Sequence, residues 1–158
     1  MASDPKTATP EMKPRDAAGL MASFNIGAVP LVDGDTLVGL VTDRDLVIRA
    51  LATTDTDLGR VRLGDIATTR DLTTVSPDAT VSDARELMRI ARVKRLPVVK
   101  DGSLVGMVSL GDIAQSSSST REVGETVRDI FESPATTRID EAAQPATGTP
   151  LRARAVPD

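Results

Sequence analysis

Thr74–Ile113 reads TVSPDATVSDARELMRIARVKRLPVVKDGSLVGMVSLGDI, and Thr7–Leu46 reads TATPEMKPRDAAGLMASFNIGAVPLVDGDTLVGLVTDRDL. Shifted by 67 positions, so that Pro30 meets Pro97, the two stretches align without a gap, and thirteen of their forty positions are identical. Chance would give about two or three in such a window, so a duplication organises the chain. The identities include Pro10 and Pro77, Asp16 and Asp83, Leu20 and Leu87, Met21 and Met88, Gly39 and Gly106, and Asp45 and Asp112.

Both copies carry the same punctuation. In the second, Thr80 followed by Asp83 predicts a capping box, and Val81, Ala84, Leu87, Met88 and Ala91 recur at helical spacing over about three turns. Leu96–Val99 and Leu104–Val108 predict two strands around the hairpin signal Asp101-Gly102, and Ser109 caps a further helix beginning at Leu110. The first copy repeats this order: Ala17, Leu20, Met21 and Phe24 on a helix, strands Val29–Val32 and Leu37–Val41 around Gly34-Asp35, and a helix Asp43–Ala52. Lys13 stands where Thr80 caps, with Pro14 at the first helical position, so a looser start is expected there. Met21 and Met88 read as core filler.

Neither unit is large enough to cover its own sheet. The expectation is therefore an α/β fold in which two small mixed sheets pack on one another about a pseudo-twofold axis. The first repeat spans 7–52, a connector 53–66 ends in an extended segment leading to Leu72–Val75, and the second repeat spans 67–114. Residues 115–133 form a linker and a helix, with Val123, Val127, Ile130 and Phe131 predicted as one apolar stripe. From 134 to 158 the sequence has no period and is expected to be disordered.

Composition narrows the chemistry. At 158 residues the chain is about one average domain, and it contains no cysteine and no histidine. Thiolate or histidine metal sites, Cys nucleophiles and Ser-His-Asp relays are excluded by counting. Nineteen basic residues against twenty-three acidic give a net charge of -4, which offers no footprint for nucleic acid. Phe24 and Phe131 are the only aromatics, so base-stacking platforms are not expected and a planar ligand must lie between aliphatic, methionine or guanidinium groups. The N-terminus lacks a basic region followed by an apolar stretch, and no run approaches the roughly 20 apolar residues of a membrane span; a soluble, cytoplasmic protein is expected.

The strings GLVTDRD (Gly39–Asp45) and GMVSLGD (Gly106–Asp112) each place a hydroxyl at a strand-to-helix junction and an aspartate three residues later. With the extended TVSPD segment, the helix, the PVV strand and the hairpin, the ordered pattern resembles the CBS domain over residues 7–114, twice. Two such repeats (each β-α-β-β-α) in tandem form a Bateman module. The chain is also similar to stand-alone actinobacterial CBS-pair proteins of the hypoxic-response type, in which a short helix ending near Ser-Pro follows the second repeat, as VGETVRDIFESP does here.

The resemblance implies a non-catalytic regulatory protein that binds an adenine nucleotide in two clefts between the repeats, needs no cofactor or metal, and forms a homodimer through its helices. Thr42 and Ser109, with helix-start N–H groups, suit phosphate contact, and Asp45 and Asp112 suit a ribose diol. Thr7, Ala8, Ile26, Gly27 and Ala28 would line the base in one cleft, and Thr74, Val75, Val93, Lys94 and Arg95 in the other. Arg44 is a phosphate cation in the first site where the aligned Gly111 supplies none, so the sites should differ. The same Thr-x-x-Asp and Ser-x-x-Asp spacings also serve plain helix capping, and Arg95 also reads as a surface ion-pair partner. That leaves a ligand-free interaction module with an unknown effector protein as the alternative. An enzyme has the junctional aspartates in its favour and lacks a complete acid-base pair.

Overall fold

Helix α1 (Pro14–Phe24) buries Ala17 and Met21, and α4 (Val81–Ala91), 67 residues further on, buries the equivalent Ala84 and Met88. These are the positions one turn apart on which a helix presents a single stripe to a core. The computed structural model describes residues 4–52, 57–116 and 120–131. At the start of α4 the Thr80 hydroxyl accepts from the Asp83 N–H, whereas Lys13 supplies no side-chain cap to α1. Both helices end on a left-handed residue, Asn25 (φ 49°) and Arg92 (φ 54°), which turns the chain into the strand that follows.

Strands β1 (Ala28–Asp33) and β2 (Thr36–Thr42) form one hairpin, and β3 (Arg95–Lys100) and β4 (Ser103–Ser109) the other. Each carries a bulge at the same place, between Leu31 and Val32 and between Val98 and Val99. The turns differ with their dipeptides. Gly34 alone is positive (φ 59°) in the first, whereas Asp101 (φ 50°) and Gly102 (φ 85°) both are in the second, the patterns of type II′ and type I′ hairpins. In place of the two separate mixed sheets expected to pack on one another, the hairpins join edge to edge where Thr36 pairs with Ser103. The backbone groups left open at the β2 and β4 edges pair with each other, giving one four-stranded antiparallel sheet in the order β1-β2-β4-β3. The extended segment expected at the start of each repeat is reduced to a single parallel bridge, Ala8 to Leu31 and Val75 to Val98.

Two cores result, one per repeat, and in each the chain that follows the repeat closes it. In the first, Leu63 and Ile66 of the short helix α3 (Leu63–Ile66) pack with Leu31, Val41 and Leu46. Its start is held by N–H groups of Leu63 and Gly64 donating to Met12 and Pro10 carbonyls, each at 2.9 Å. The exit of the first repeat departs from the expected helix Asp43–Ala52: a single turn α2 (Asp43–Asp45) widens into a π turn over Leu46–Leu51. The wider turn buries Leu46 and Ala50 and leaves Val47, Ile48 and Leu51 exposed. In the second repeat α5 (Leu110–Ser116) stays a regular α-helix.

Helix α6 (Thr120–Phe131) packs on α4 and α5 and adds Ile130 to the second core. The expected stripe is corrected at one end: Thr126 (3% exposed) and Ile130 (6%) are its buried members, Val123 and Val127 are half-buried, and Phe131 is 60% exposed. Phe131 follows Ile130 directly, and one step along a helix rotates a side chain about 100° off the stripe. The expected disordered stretch 134–158 lies outside the described residues. No helix among those described is long and apolar enough to cross a membrane.

Candidate functional site

At the end of β2 the Thr42 hydroxyl donates to Asp45 Oδ2 (2.6 Å) and accepts from the Asp45 N–H (3.2 Å), while the Thr42 N–H donates to the same carboxylate oxygen (2.9 Å). Ser109 and Asp112 repeat this network at the end of β4, at 2.6, 3.2 and 2.8 Å. A third copy, Thr80 with Asp83 at the start of α4, has the same geometry at 2.7, 3.1 and 2.9 Å. Hydrogen bonds from the Thr80 hydroxyl and N–H hold the Asp83 carboxyl below its ordinary range. For Asp112 burial pushes the pKa up, but bonds from the Ser109 hydroxyl and N–H are among the interactions that outweigh it, and the net shift is downward. The capping geometry is thus common to three helix starts. What separates two of them is the surface they face.

Each exit junction is tied to its own repeat, the Asp43 N–H donating to the Gly27 carbonyl (3.3 Å) and the Leu110 N–H to the Lys94 carbonyl (2.8 Å). The opposing wall comes from the other repeat. A first cleft of about 460 Å³ has Thr42, Asp43, Arg44 and Asp45 on one side, and Asp71, Leu72 and Thr73 with Arg92, Val93, Lys94 and Arg95 on the other. A second, of about 400 Å³, sets Met107, Val108, Ser109 and Asp112 against Lys6, Phe24, Asn25, Ile26 and Pro30. Ala28 and Arg95, equivalent residues at the starts of β1 and β3, line both clefts.

The structure therefore brings Thr42, Arg44, Asp45, Ala28, Val93, Lys94 and Arg95 together in the first cleft, and Ser109, Asp112, Ile26, Ala28 and Arg95 in the second. Gly27 lies beside the first: a Cβ there would sit 2.8 Å from Asp43 Oδ2 and 3.2 Å from Arg95 Nη2. Thr7, Ala8, Thr74 and Val75 line neither cleft. Ala8 and Val75 are buried in the bridges to Leu31 and Val98, Thr7 is exposed, and Thr74 is half-buried. The preceding Leu72 and Thr73 take the place assigned to Thr74 and Val75. Sequence reasoning missed Asp43, Asp71 and Arg92 in the first cleft and Lys6, Asn25 and Met107 in the second. It placed Phe24 on a core stripe, whereas the ring is half-exposed and lines the second cleft. A usable signal was the stop of each helix: Asn25 and Arg92 turn the chain at the mouth of opposite clefts.

The rims differ in charge. Arg44, Arg92, Lys94 and Arg95 face Asp43, Asp45 and Asp71 in the first, and Lys6 and Arg95 face Asp4 and Asp112 in the second. Asp45 Oδ1 lies 3.3 Å from Arg49 Nε, so the oxygen not used for capping has its own cation. The Lys94 ammonium sits 3.8 Å from the centroid of the Phe131 ring, and Lys6 lies 5.1 Å from that of Phe24. Among the described residues no group of three or more carboxylates is placed to hold a metal ion.

This duplicated arrangement agrees with the CBS-domain family, whose profile matches residues 1–51 and 63–119. The chain belongs to the CBS-domain family. It is 39% identical over 119 residues to YlbB of Bacillus subtilis (strain 168), an alignment covering 74% of this chain and 78% of YlbB. To the CBS domain-containing protein YhcV of the same organism it is 34% identical, covering 78% of this chain and 86% of YhcV. The CBS domain pair of protein MJ0100, solved in complex with 5′-methylthioadenosine and S-adenosyl-L-methionine, superposes with a TM-score of 0.64 at 28% identity, covering 73% of this chain and 89% of that one. The match to tandem CBS structures extends to the mixed α/β architecture and the four-stranded sheet.

Proposed function

We propose that this CBS pair is a non-catalytic, cytoplasmic regulatory module that takes an adenine nucleotide or a related adenosine ligand in its two clefts, the first preferring the more highly phosphorylated form. The observation that carries the reading is positional. Of three hydroxyl-aspartate caps with one geometry, the two at the repeat exits face an entry turn of the other repeat across a cleft large enough for a nucleoside, whereas Thr80 of the third lines a smaller cavity of about 220 Å³ walled by its own repeat. Asp45 and Asp112 serve as charged acceptors for the ribose, and the Thr42 and Ser109 hydroxyls, exchanging their cap hydrogen bonds, take a phosphate, with Arg44 as its cation in the first cleft. Leu40, Leu72 and Val93 offer aliphatic faces to a base in the first cleft, and Ile26 and Met107 with the ring of Phe24 offer apolar ones in the second. The adenosine ligands in the related MJ0100 pair support this chemistry.

The short helix after the second repeat supports placing the protein with stand-alone CBS pairs of the hypoxic-response type, and the exposed Val47, Ile48 and Leu51 support a homodimer through the helices. Calorimetry with adenosine, AMP, ADP, ATP and S-adenosylmethionine tests the reading. Arg44→Ala should weaken ATP more than adenosine; equal losses remove Arg44 from the phosphate site, and no binding of any of them at millimolar concentration rejects the reading. One observation favours a second reading, a ligand-free interaction module: the Oδ2 atoms of Asp45 and Asp112 are already engaged by their own caps. In that case nothing in the panel binds and a partner protein binds instead.

A further inference from the structure

Lys94 belongs to two parts of the molecule at once. It lines the first cleft beside Arg44, Arg92 and Arg95, and its ammonium lies 3.8 Å from the centroid of the Phe131 ring at the end of α6. Phe131 is not what anchors that helix. Among its described residues Thr126 and Ile130 are the buried side chains, Asp129 meets Arg89 at 3.6 Å, and Phe131 itself is mostly exposed. The residue aligned with Lys94 in the first repeat is Gly27, so the second cleft has no cation at the corresponding position. Its own lysine, Lys6, faces the ring of Phe24, which lines that same cleft. Only in the first cleft, among the described residues, is a lining cation held by a ring from outside the two repeats.

An ammonium seated on a ring face is attracted by the ring's quadrupole and has fewer N–H donors free for an anion. A phosphate chain in the cleft offers the same ammonium charge-assisted hydrogen bonds. We propose that α6 sets the charge preference of the first cleft by engaging Lys94 through Phe131, so that polyphosphate binding and the docking of the last turn of α6 oppose one another. The inference rests on nucleotide binding in that cleft. Coupling of this kind is reciprocal: whatever factor Phe131 takes from the affinity for a polyphosphate, the bound polyphosphate takes from the docking of Phe131. An exposed cation-ring contact sets that factor at about two- to fivefold.

The full chain is titrated with ATP and with adenosine at low salt, as wild type, Phe131→Leu, Phe131→Tyr, Lys94→Met and the Phe131→Leu/Lys94→Met pair. Phe131→Leu should bind ATP about two- to fivefold more tightly and adenosine unchanged. Phe131→Tyr, which keeps a ring, should behave as wild type, and in the Lys94→Met background Phe131→Leu should have no effect. Amides in the last turn of α6 should exchange faster with saturating ATP in the wild type and not in Lys94→Met. An unchanged ATP-to-adenosine ratio in Phe131→Leu, or weaker ATP binding, overturns the inference while leaving nucleotide binding intact. Failure of the wild type to bind either ligand overturns both.

Discussion

The two clefts share their backbone punctuation and differ in their rims. Exit caps, bulges, left-handed helix ends and bridges recur at a spacing of 67 residues, whereas Arg44 meets Gly111, Gly27 meets Lys94, Ala28 meets Arg95 and Phe24 meets Ala91. The shared features each satisfy a requirement of the backbone: an N–H at a helix start needs an acceptor, and a helix end needs a turn. The rim side chains meet no such requirement. A duplicated fold therefore keeps its skeleton while its clefts acquire different charge, and what distinguishes one cleft from the other is to be sought where the aligned residues disagree.

The largest expected effect concerns how each core is closed. Leu63 is fully buried in the first core, on a helix of only four residues. Leu63→Ala should cost about 2–5 kcal/mol in urea unfolding of the full chain, through lost burial and the cavity left behind. Ile130→Ala, on a helix laid over the second core from outside the repeat, should cost toward the lower end of that range. Equal losses would show that α3 and α6 close their cores equivalently, and a loss below about 1 kcal/mol at Leu63 would show that α3 is not part of the first core.

Next in size is the separation of sensing from capping, with Asp83 as an internal control. Asn can still accept the cap hydrogen bonds but lacks the charge a ribose diol would use. Asp45→Asn and Asp112→Asn should each lower affinity in their own cleft by about 1.5–3 kcal/mol, more than tenfold, while Asp83→Asn leaves both clefts unchanged. Equal behaviour of all three would make the exit aspartates caps and nothing more. Acid titration gives the same comparison a second axis. The Asp112 carboxyl is held below its ordinary 3.8, so its contribution to stability is present above that value and is lost as pH falls through the lower folded value. Asp112→Asn should remove that part of the acid limb.

The sequence made the repeat and its elements legible because caps, hairpin dipeptides and apolar spacing are local signals, and α1, α4 and all four strands follow them within a residue or two. What it hid was non-local. Leu63 and Ile66 are too few to show a helical period, and the π turn after Asp45 has no signature in residues that read as an ordinary helix. Phe24 and Phe131 fit helical stripes by spacing, yet both rings are exposed by half or more. The alignment shows that Thr42 corresponds to Ser109. It does not show that Thr42 faces Lys94 and Ser109 faces Ile26, because walls built across two repeats are set by tertiary packing.

The smallest effect tests whether the difference between the two helix starts is simply the missing hydroxyl. Lys13 has the extended backbone (φ -82°, ψ 148°) that Thr80 has (φ -76°, ψ 162°), and Asp16 stands three residues on, as Asp83 does. Lys13→Thr should therefore build the box of α4 onto α1, with the new hydroxyl accepting from the Asp16 N–H and the Asp16 carboxylate accepting from the N–H at 13. The gain is limited, because the Asp16 N–H already donates to the Lys13 carbonyl at 3.0 Å and is not an orphan. Stabilisation at the low end of the capping range, about 0.5 kcal/mol, is expected, a rise of roughly 1–2 °C in melting temperature. Thr80→Lys, which strips the box from α4, should lower stability by more, about 1 kcal/mol, since it leaves the Asp83 N–H without its hydroxyl acceptor. If Lys13→Thr is neutral while Thr80→Lys is costly, the uncapped start of α1 is already satisfied by its own carbonyl, and Pro14 rather than Lys13 sets where that helix begins.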